Sequence, residues 1–219
     1  MNLNMSIDKA LILIPAYNEE GRISKVIEDC LKVFNYILII DDGSMDLTLK
    51  QAISSKPSFL LKHCINCGQG VALLTGIRYF LEKTDFEYLI TFDGDEQHLV
   101  ENALSMFKHA ERNHSDAIFG SRFLNKEYLL EIPHVKRITL NLAKIFEKFF
   151  YGISLSDAHN GLRVLSRKAC RHLSKIESSS MANGTEITVK LIKAGIKIEE
   201  YPCKILYNNA KLSQSPLSS

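Results

Sequence analysis

The sequence lacks any apolar stretch long enough to cross a membrane and carries little net charge. No hydrophobic run approaches the ~18 residues that a transmembrane helix needs, and residues 1–8 show neither the basic region nor the apolar core of a secretory signal. Lysine and arginine number 27 against 25 aspartates and glutamates, which provides no electrostatic basis for binding nucleic acid. We therefore expect a cytoplasmic protein without a nucleic-acid partner.

Cysteine is scarce, and its pattern excludes a disulfide scaffold. The five cysteines form no even or regular framework. Cys64 and Cys67 have the spacing of a zinc or redox pair, but zinc would need a second pair, and a redox site would need the two cysteines to open a helix after a strand. Free thiols in a reducing compartment explain all five cysteines most simply.

Short apolar runs alternate with amphipathic segments of about 10–15 residues, a pattern typical of an α/β domain with a mostly parallel sheet flanked by helices. The predicted strands are 10–14, 36–40, 58–61, 88–92 and 116–119, and 196–207 alternates like a further strand.

At 219 residues the chain is long enough for one substantial domain. We predict a single domain over 1–219, with a nucleotide-binding half at about 8–123, an acceptor half at about 124–207 and a flexible tail at 208–219.

Two carboxylates, Asp93 and Asp95, follow the run from Tyr88 to Phe92. The carboxyl ends of strands in an open α/β sheet border the ligand crevice, and side chains two residues apart in an extended segment point the same way. Two carboxylates about 4 Å apart repel by about 4 kcal/mol at an effective dielectric near 20, so an ionised pair usually binds a cation. Oxygen ligands favour Mg²⁺ or Mn²⁺. An isolated Asp-Gly is also ordinary turn chemistry.

Other predicted strands also end in polar or aromatic residues that suit a nucleotide. Tyr17 follows the first strand, where its ring could stack on a base. Asp42 follows the second and could accept hydrogen bonds from a ribose or base. The glycine loop 66–70 opens a helix whose amides could bind phosphate, although it lacks the third glycine of a dinucleotide fingerprint. Arg122 follows the fifth strand, and its guanidinium could form two hydrogen bonds to a phosphate.

The segment 134–151 has the strongest amphipathic pattern. Apolar side chains that include several phenylalanines share one face, and lysines and arginines lie beside them. This composition suits a helix on an anionic membrane surface. Packing on the core or on the second subunit of a homodimer explains the pattern equally well.

Six short motifs, taken together and in order, resemble the inverting glycosyltransferases of family 2. That family has the GT-A fold, and within it the chain resembles the dolichyl-phosphate mannosyltransferase-like branch. The resemblance covers roughly residues 10 to 207. The motifs are Pro15-Ala-Tyr-Asn-Glu19, Asp41-Asp-Gly-Ser-Met-Asp46, Asn66-x-Gly-x-Gly70, Asp93-Gly-Asp-x-Gln97, Gly120-Ser-Arg-Phe123 and Asp157-x-x-x-Gly-Leu-Arg163.

The resemblance implies a metal-dependent enzyme that moves a hexose from a UDP- or GDP-sugar to a polyprenyl phosphate. It would work at the inner face of the cytoplasmic membrane and use Mg²⁺ or Mn²⁺. The implied site residues are Pro15, Tyr17, Glu19, Asp42, Gly70 and Asp93 for the nucleotide, Asp93, Asp95 and Gln97 for the metal, and Arg122 and Arg137 for the acceptor phosphate.

Two alternatives stay open. Transfer to a saccharide hydroxyl, as in cell-surface polysaccharide or lipopolysaccharide assembly, would require a general base, for which Asp157 and Glu186 are the candidates. A lipid phosphate is already anionic and needs none. The second alternative is a non-catalytic sugar-nucleotide-binding module or a nucleotidyltransferase. The intact acidic pair argues against a non-catalytic module, and the absence of a basic, glycine-rich first loop argues against a nucleotidyltransferase.

Overall fold

A seven-stranded sheet forms the centre of the fold. The computed structural model describes residues 7–132, 137–140, 142, 148–149, 154–174 and 183–207. The order across the sheet is β3-β2-β1-β4-β6-β5-β7. The strands are β1 (Ala10–Ala16), β2 (Ile37–Asp41), β3 (Phe59–Lys62), β4 (Tyr88–Thr91), β5 (Ala117–Ser121), β6 (Arg163–Ser166) and β7 (Ile198–Pro202).

The sheet is mostly parallel, as predicted. β6 runs antiparallel to both of its neighbours, β4 and β5, whereas the other paired strands are parallel. The sequence pattern did not mark β6 as a strand. Only Val164 and Leu165 of its four residues are apolar, so β6 lacks the apolar run that marks the equally short β3 and β4.

Helices cover both faces of this sheet in the described part of the chain. Residues of α1, α2 and α4 join one apolar cluster, and residues of α3, α6 and α7 join the other. The helices are α1 (Ile23–Leu31), α2 (Thr48–Ser54), α3 (Gln69–Lys83), α4 (Val100–Asn113), α5 (Lys126–Glu131), α6 (Arg167–Leu173) and α7 (Asn183–Lys193).

The central strand β1 shows how the apolar runs of the sequence build this core. Ile12 and Ile14 point into one cluster, and Leu11 and Leu13 point into the other. All four side chains are fully buried. A parallel strand with helices on both faces needs apolar residues at every position, and this explains why the run shows no alternation.

Several boundaries differ from the sequence prediction. The last strand, predicted within 196–207, spans Ile198–Pro202, and the first strand, predicted at 10–14, extends to Ala16. Most of the amphipathic segment 134–151, and the tail 208–219, lie outside the described residues. In the part of the chain that is described, no helix combines the length and the apolar character needed to cross a bilayer.

The parallel register brings three strand ends to one edge of the sheet. Ala16 at the end of β1 pairs with Asp41 at the end of β2, and Leu13 pairs with Thr91 at the end of β4. The segments that follow these strands therefore meet above the same edge. This is where the crevice of an α/β sheet is expected.

Candidate active site

Asp93 lies at this edge, two residues beyond the end of β4. Its side chain is 30% exposed. His98 Nε2 donates to Asp93 Oδ2 at 2.9 Å, and Gln69 Nε2 donates to Oδ1 at 3.3 Å. Because the strand ends at Thr91, the argument from strand alternation does not apply to Asp93 and Asp95. A turn and side-chain hydrogen bonds orient them instead.

His98 is buried and forms a charged pair with Asp93. Its side chain is 3% exposed. Burial acts to lower the pKa of His98, but the Asp93 carboxylate and the nearby Cys203 sulfur outweigh it and raise the pKa to about 9. Burial likewise acts to raise the pKa of Asp93, but His98 holds it below its ordinary value. At neutral pH an imidazolium therefore fixes the orientation of an ionised Asp93.

The turn that carries Asp95 and Gln97 is held at both ends. Asp95 Oδ1 accepts the backbone N–H of Gln97 at 3.1 Å, and the carbonyl of Gln97 accepts the N–H of Leu206 at 2.9 Å. Between them Glu96 has a left-handed φ of 65°. The turn therefore holds both predicted metal ligands at the edge of the sheet beside Asp93.

The donor set around this turn suits a hard divalent cation. Among the described residues, no trio of His, Cys, Asp or Glu ligand atoms within 4.8 Å of one another includes Asp93 or Asp95. Mg²⁺ is commonly bound by one or two carboxylates together with waters and substrate phosphates, so it does not need a third protein carboxylate. Two carboxylates and an amide oxygen fit such an ion.

One trio does meet this distance criterion: Asp42, His63 and Cys67. Its members are joined by hydrogen bonds. His63 Nδ1 lies 2.6 Å from Asp42 Oδ1, and the backbone N–H groups of Cys67 and Gly68 donate to the same carboxylate at 3.0 and 2.8 Å. His63 Nε2 is 2.9 Å from the Thr75 hydroxyl. Asp42 thus anchors the glycine loop at the start of α3, where Gly68 has a left-handed φ of 92°. Its predicted contact with the nucleotide stays a prediction.

The turn after β1 is held by side chains of the loop after β2 and of the helix α2 that follows it. The consecutive backbone N–H groups of residues 18–21 donate to Ser44, Thr48, Asp46 and Gln51, in that order, at 3.0, 2.7, 3.1 and 2.9 Å. Polar residues of this loop and of α2 therefore shape the turn after β1.

The predicted nucleotide residues lie along this edge. Pro15 borders the same small pocket as Asp93, and the Tyr17 ring is 40% exposed. Glu19 forms an ion pair with Arg22. Gly70 is buried in the first turn of α3. These positions are consistent with a nucleotide site, and the individual roles stay predictions.

Arg122 and Asp157, to which different roles were assigned, are bound to each other. The Arg122 Nε and Nη2 atoms donate to the two Asp157 oxygens, each at 2.6 Å, and the Arg122 backbone N–H donates to Oδ2 at 3.1 Å. Their side chains are 7% and 1% exposed. In this arrangement the guanidinium of Arg122 is bound to a carboxylate, and Asp157 is not accessible to an acceptor hydroxyl.

The two remaining candidates lie on helical segments. Glu186, in the first turn of α7, forms an ion pair with Lys190 at 2.9 Å. Arg137 is half-buried within the short described stretch 137–140, and most of the segment 134–151 lies outside the described residues. The structure leaves the catalytic role of Glu186 and the acceptor role of Arg137 as predictions.

A small polar pocket of about 110 Å³ adjoins Asp93. The backbone of Gly161 packs so closely on Asp93 that a Cβ at this position would overlap the carboxylate. The pocket is bordered by residues from the ends of β1 and β4, the start of α3 and the turn before β6. Its polar or backbone-exposing members are Gln69, Thr91, Asp93, His159, Gly161 and Arg163.

The sequence that forms these strand ends matches a known protein family. The model of glycosyl transferase family 2 matches residues 11–174, about three quarters of the chain. The chain belongs to glycosyl transferase family 2. The matched region contains β1 to β6 and the Asp93 turn, and it makes the protein an enzyme that transfers a glycosyl group.

Two relatives resemble this glycosyltransferase over most of their length. The uncharacterized protein MJ1222 of Methanocaldococcus jannaschii is 30% identical over 210 residues, covering 94% of this chain and 85% of the relative. The UDP-N-acetylglucosamine–dolichyl-phosphate N-acetylglucosaminyltransferase of Methanococcus voltae is 28% identical over 223 residues, covering 93% and 88%.

A solved structure confirms the fold of this glycosyltransferase. Glucosyl-3-phosphoglycerate synthase from Mycobacterium tuberculosis, in complex with Mn²⁺, UDP and phosphoglyceric acid, superposes with a TM-score of 0.69 at 13% identity. The match covers 95% of this chain and 76% of the synthase. The predicted GT-A fold is therefore confirmed.

Three polar contacts at this site were not predicted from the sequence. The sequence motifs assigned no role to His98 or His63, and Arg163 was quoted only as part of a motif. Each of them meets its partner across the fold or across a turn, so local sequence patterns carry little information about it. The one available signal for His98 was its position directly after Gln97 in the acidic motif.

Proposed function

We propose that this glycosyltransferase moves a hexose from a UDP- or GDP-sugar to a polyprenyl phosphate, with inversion at the sugar and with Mg²⁺ or Mn²⁺. The observation that carries the proposal is the placement of Asp93 at the carboxyl edge of the sheet, partly exposed and oriented by His98. The relative from Methanococcus voltae is named for transfer to dolichyl phosphate, and the solved structure holds Mn²⁺ and UDP.

The chain would bind the donor through two groups of residues. Asp93, Asp95 and Gln97 would hold the metal, which when bound supplies positive charge to the departing diphosphate. His98 would keep Asp93 ionised and correctly oriented for that ligand. We propose that the base, ribose and phosphates lie along Pro15, Tyr17, Glu19, Asp42 and Gly70.

The buried Arg122–Asp157 pair makes Asp157, one of the two candidate bases, unavailable to a saccharide hydroxyl and leaves Glu186 as the other. A hydroxyl acceptor needs a base within hydrogen-bond reach, and Asp157 has both oxygens directed at Arg122. A lipid phosphate needs only positioning by cations. Arg122 and Arg137 remain the proposed contacts, and Arg122 would have to exchange Asp157 for the phosphate.

The segment 134–151 could bring the enzyme to the membrane surface where such a lipid lies. Three of its four described apolar side chains are exposed, with Ile138 at 60%, Leu142 at 62% and Phe149 at 82%, and Leu140 is half-buried. Exposed apolar side chains beside lysines suit the boundary of an anionic membrane. We propose that the enzyme associates with the membrane surface through this segment. A homodimer that buries these side chains is the competing arrangement.

One assay tests the function. Purified enzyme, Mn²⁺ and radiolabelled UDP-glucose, UDP-N-acetylglucosamine or GDP-mannose are incubated with a polyprenyl phosphate, and the label is followed into the lipid extract. Label in the lipid supports the proposal, and label only in a water-soluble saccharide supports the alternative acceptor.

A variant pair separates metal-dependent catalysis from general damage. Asp95→Ala should abolish turnover. Asp116→Asn is the matched control, because Asp116 precedes β5 at the opposite edge of the sheet, and this variant should keep its activity. Full activity in Asp95→Ala would remove the metal from the mechanism.

A further inference from the structure

Arg163 occupies an unusual position in the sheet. Because β6 is antiparallel, its first residue lies at the edge where β4 ends, and Arg163 pairs in register with Thr91 of β4 and Phe119 of β5. The side chain borders the same pocket as Asp93. Only 3% of the residue is exposed. The fold thus places a buried guanidinium beside the predicted metal ligand.

The guanidinium of Arg163 has few protein partners. Nη2 donates to the carbonyl of Ala158 at 3.2 Å, and the guanidinium carbon lies 4.9 Å from the centre of the Phe119 ring. Nε is buried without a hydrogen-bond partner, and no carboxylate of the described residues lies within ion-pair distance. An arginine carries five N–H donors, and a buried charge normally uses most of them.

Two other arginines of the described chain have more hydrogen-bond acceptors than Arg163. Arg122 binds both oxygens of Asp157. Arg167, the first residue of α6 directly after β6, donates to four backbone carbonyls and lies 4.9 Å above the Phe80 ring. Arg167 therefore has the same aromatic contact as Arg163 but four acceptors for its guanidinium. The small number of acceptors thus distinguishes Arg163 from these two arginines.

We propose that Arg163 binds a phosphate group in the crevice, as a fork-shaped donor next to the metal site. The pocket is small and polar, and Gln69 contributes an amide to it. A guanidinium matches phosphate in geometry and charge. The phosphate belongs either to the nucleoside diphosphate of the donor or to the lipid acceptor.

The surroundings explain why the phosphate would bind together with a cation. Burial lowers the pKa of Arg163 to about 10, and the neighbouring carboxylates of Asp93 and Asp157 act in the opposite direction. An anion placed beside Asp93 is repelled unless a cation neutralises that carboxylate. Phosphate binding to Arg163 should therefore be stronger with Mn²⁺ present, and in this respect the inference rests on the proposed function.

Calorimetric titration of variants tests the inference. Wild type, Arg163→Gln and Arg163→Lys are titrated with UDP, GDP, uridine, guanosine, farnesyl phosphate and inorganic pyrophosphate, each with and without Mn²⁺. Arg167→Gln is the matched control, since it removes an arginine with the same ring contact at the far end of the strand. Thermal unfolding by circular dichroism checks the folding of each variant.

We expect Arg163→Gln to weaken UDP or GDP binding at least tenfold, with nucleoside binding unchanged. Arg163→Lys keeps the charge but loses the fork, so it should weaken the same ligand at least threefold. The lysine variant decides the question if the glutamine variant does not fold. Loss confined to farnesyl phosphate assigns the site to the acceptor. Arg167→Gln should bind all ligands as wild type does.

Unchanged binding of both nucleoside diphosphate and farnesyl phosphate in the folded Arg163 variants would overturn the inference while leaving the proposed function standing. A different result would show that the proposed function is wrong and the phosphate site is right. If the wild type binds no nucleotide but binds pyrophosphate in an Arg163-dependent manner, the phosphate site stands and the proposed donor is wrong.

Discussion

Replacing Asp157 with asparagine should destabilise the fold, because it removes the charge that pairs with buried Arg122. The two side chains are 7% and 1% exposed and share two hydrogen bonds of 2.6 Å. Removing one partner of a buried ion pair costs about 3–5 kcal/mol, because the other charge stays buried without compensation. In a chain of this size each kcal/mol lowers the melting temperature by about 2–4 °C, so a decrease of roughly 6–20 °C is expected.

The assay is urea unfolding followed by far-ultraviolet circular dichroism for Asp157→Asn, Arg122→Gln and the double variant. The two single substitutions should not be additive, since the double variant leaves no unpaired charge. Glu87→Gln is the control. It breaks an ion pair with Lys9 in which the side chains are 57% and 42% exposed, so it should change the unfolding free energy by less than about 1 kcal/mol.

One result would refute this reasoning. If Asp157→Asn unfolds like the wild type but has lost its transferase activity, Asp157 acts as a base or ligand in the chemistry. Arg122 would then be available to the acceptor, and the saccharide alternative would regain its general base.

Three further predictions concern the residues around Asp93 and the pH dependence of stability. His98→Gln should shift the Mn²⁺ activation curve to about 10–100-fold higher concentration, because His98 orients the proposed metal ligand; an unchanged curve would contradict that role. Gly161→Ala should lower kcat by about a hundredfold with little loss of melting temperature, because the new Cβ displaces the Asp93 carboxylate. Lys168 and Ser166 outweigh burial and lower the pKa of Asp116, so Asp116 stabilises the fold above its ordinary pKa of 3.8 and this contribution is lost as the pH falls through its lowered value. Asp116→Asn should therefore flatten the dependence of the urea midpoint on pH in the acid range.

Much of the fold could be predicted from local patterns. β1, β2 and β4 are apolar up to the polar last residues of β2 and β4, Asp41 and Thr91, because helices cover both faces of the sheet, and their runs stand out in the sequence. β6 could not be recognised, because only Val164 and Leu165 of its four residues are apolar, whereas the equally short β3 and β4 carry longer apolar runs. Its antiparallel direction depends on where the chain returns to the sheet.

The candidate site was also predictable from the sequence only in part. The acids at 93 and 95 were expected at the edge of the sheet because they follow an apolar run, and Asp93 lies there. The sequence could not predict that Arg122 would bind Asp157, 35 residues away, and so leave both less accessible than expected. It also could not predict that a turn would replace the strand geometry assumed for Asp93 and Asp95.

The sequence alone determined the family, the mostly parallel sheet and the edge of that sheet where the chemistry lies, because strand runs and the polar residues that end them are local in the chain. Tertiary structure decided which charges are paired. Arg122 binds a carboxylate, Asp93 binds His98, and Arg163 contacts an aromatic ring and one backbone carbonyl. These partners meet only when separate strand ends come together. Of these three charges, Arg163 is the one that meets no ion-pair partner among the described residues, and it defines the proposed phosphate site.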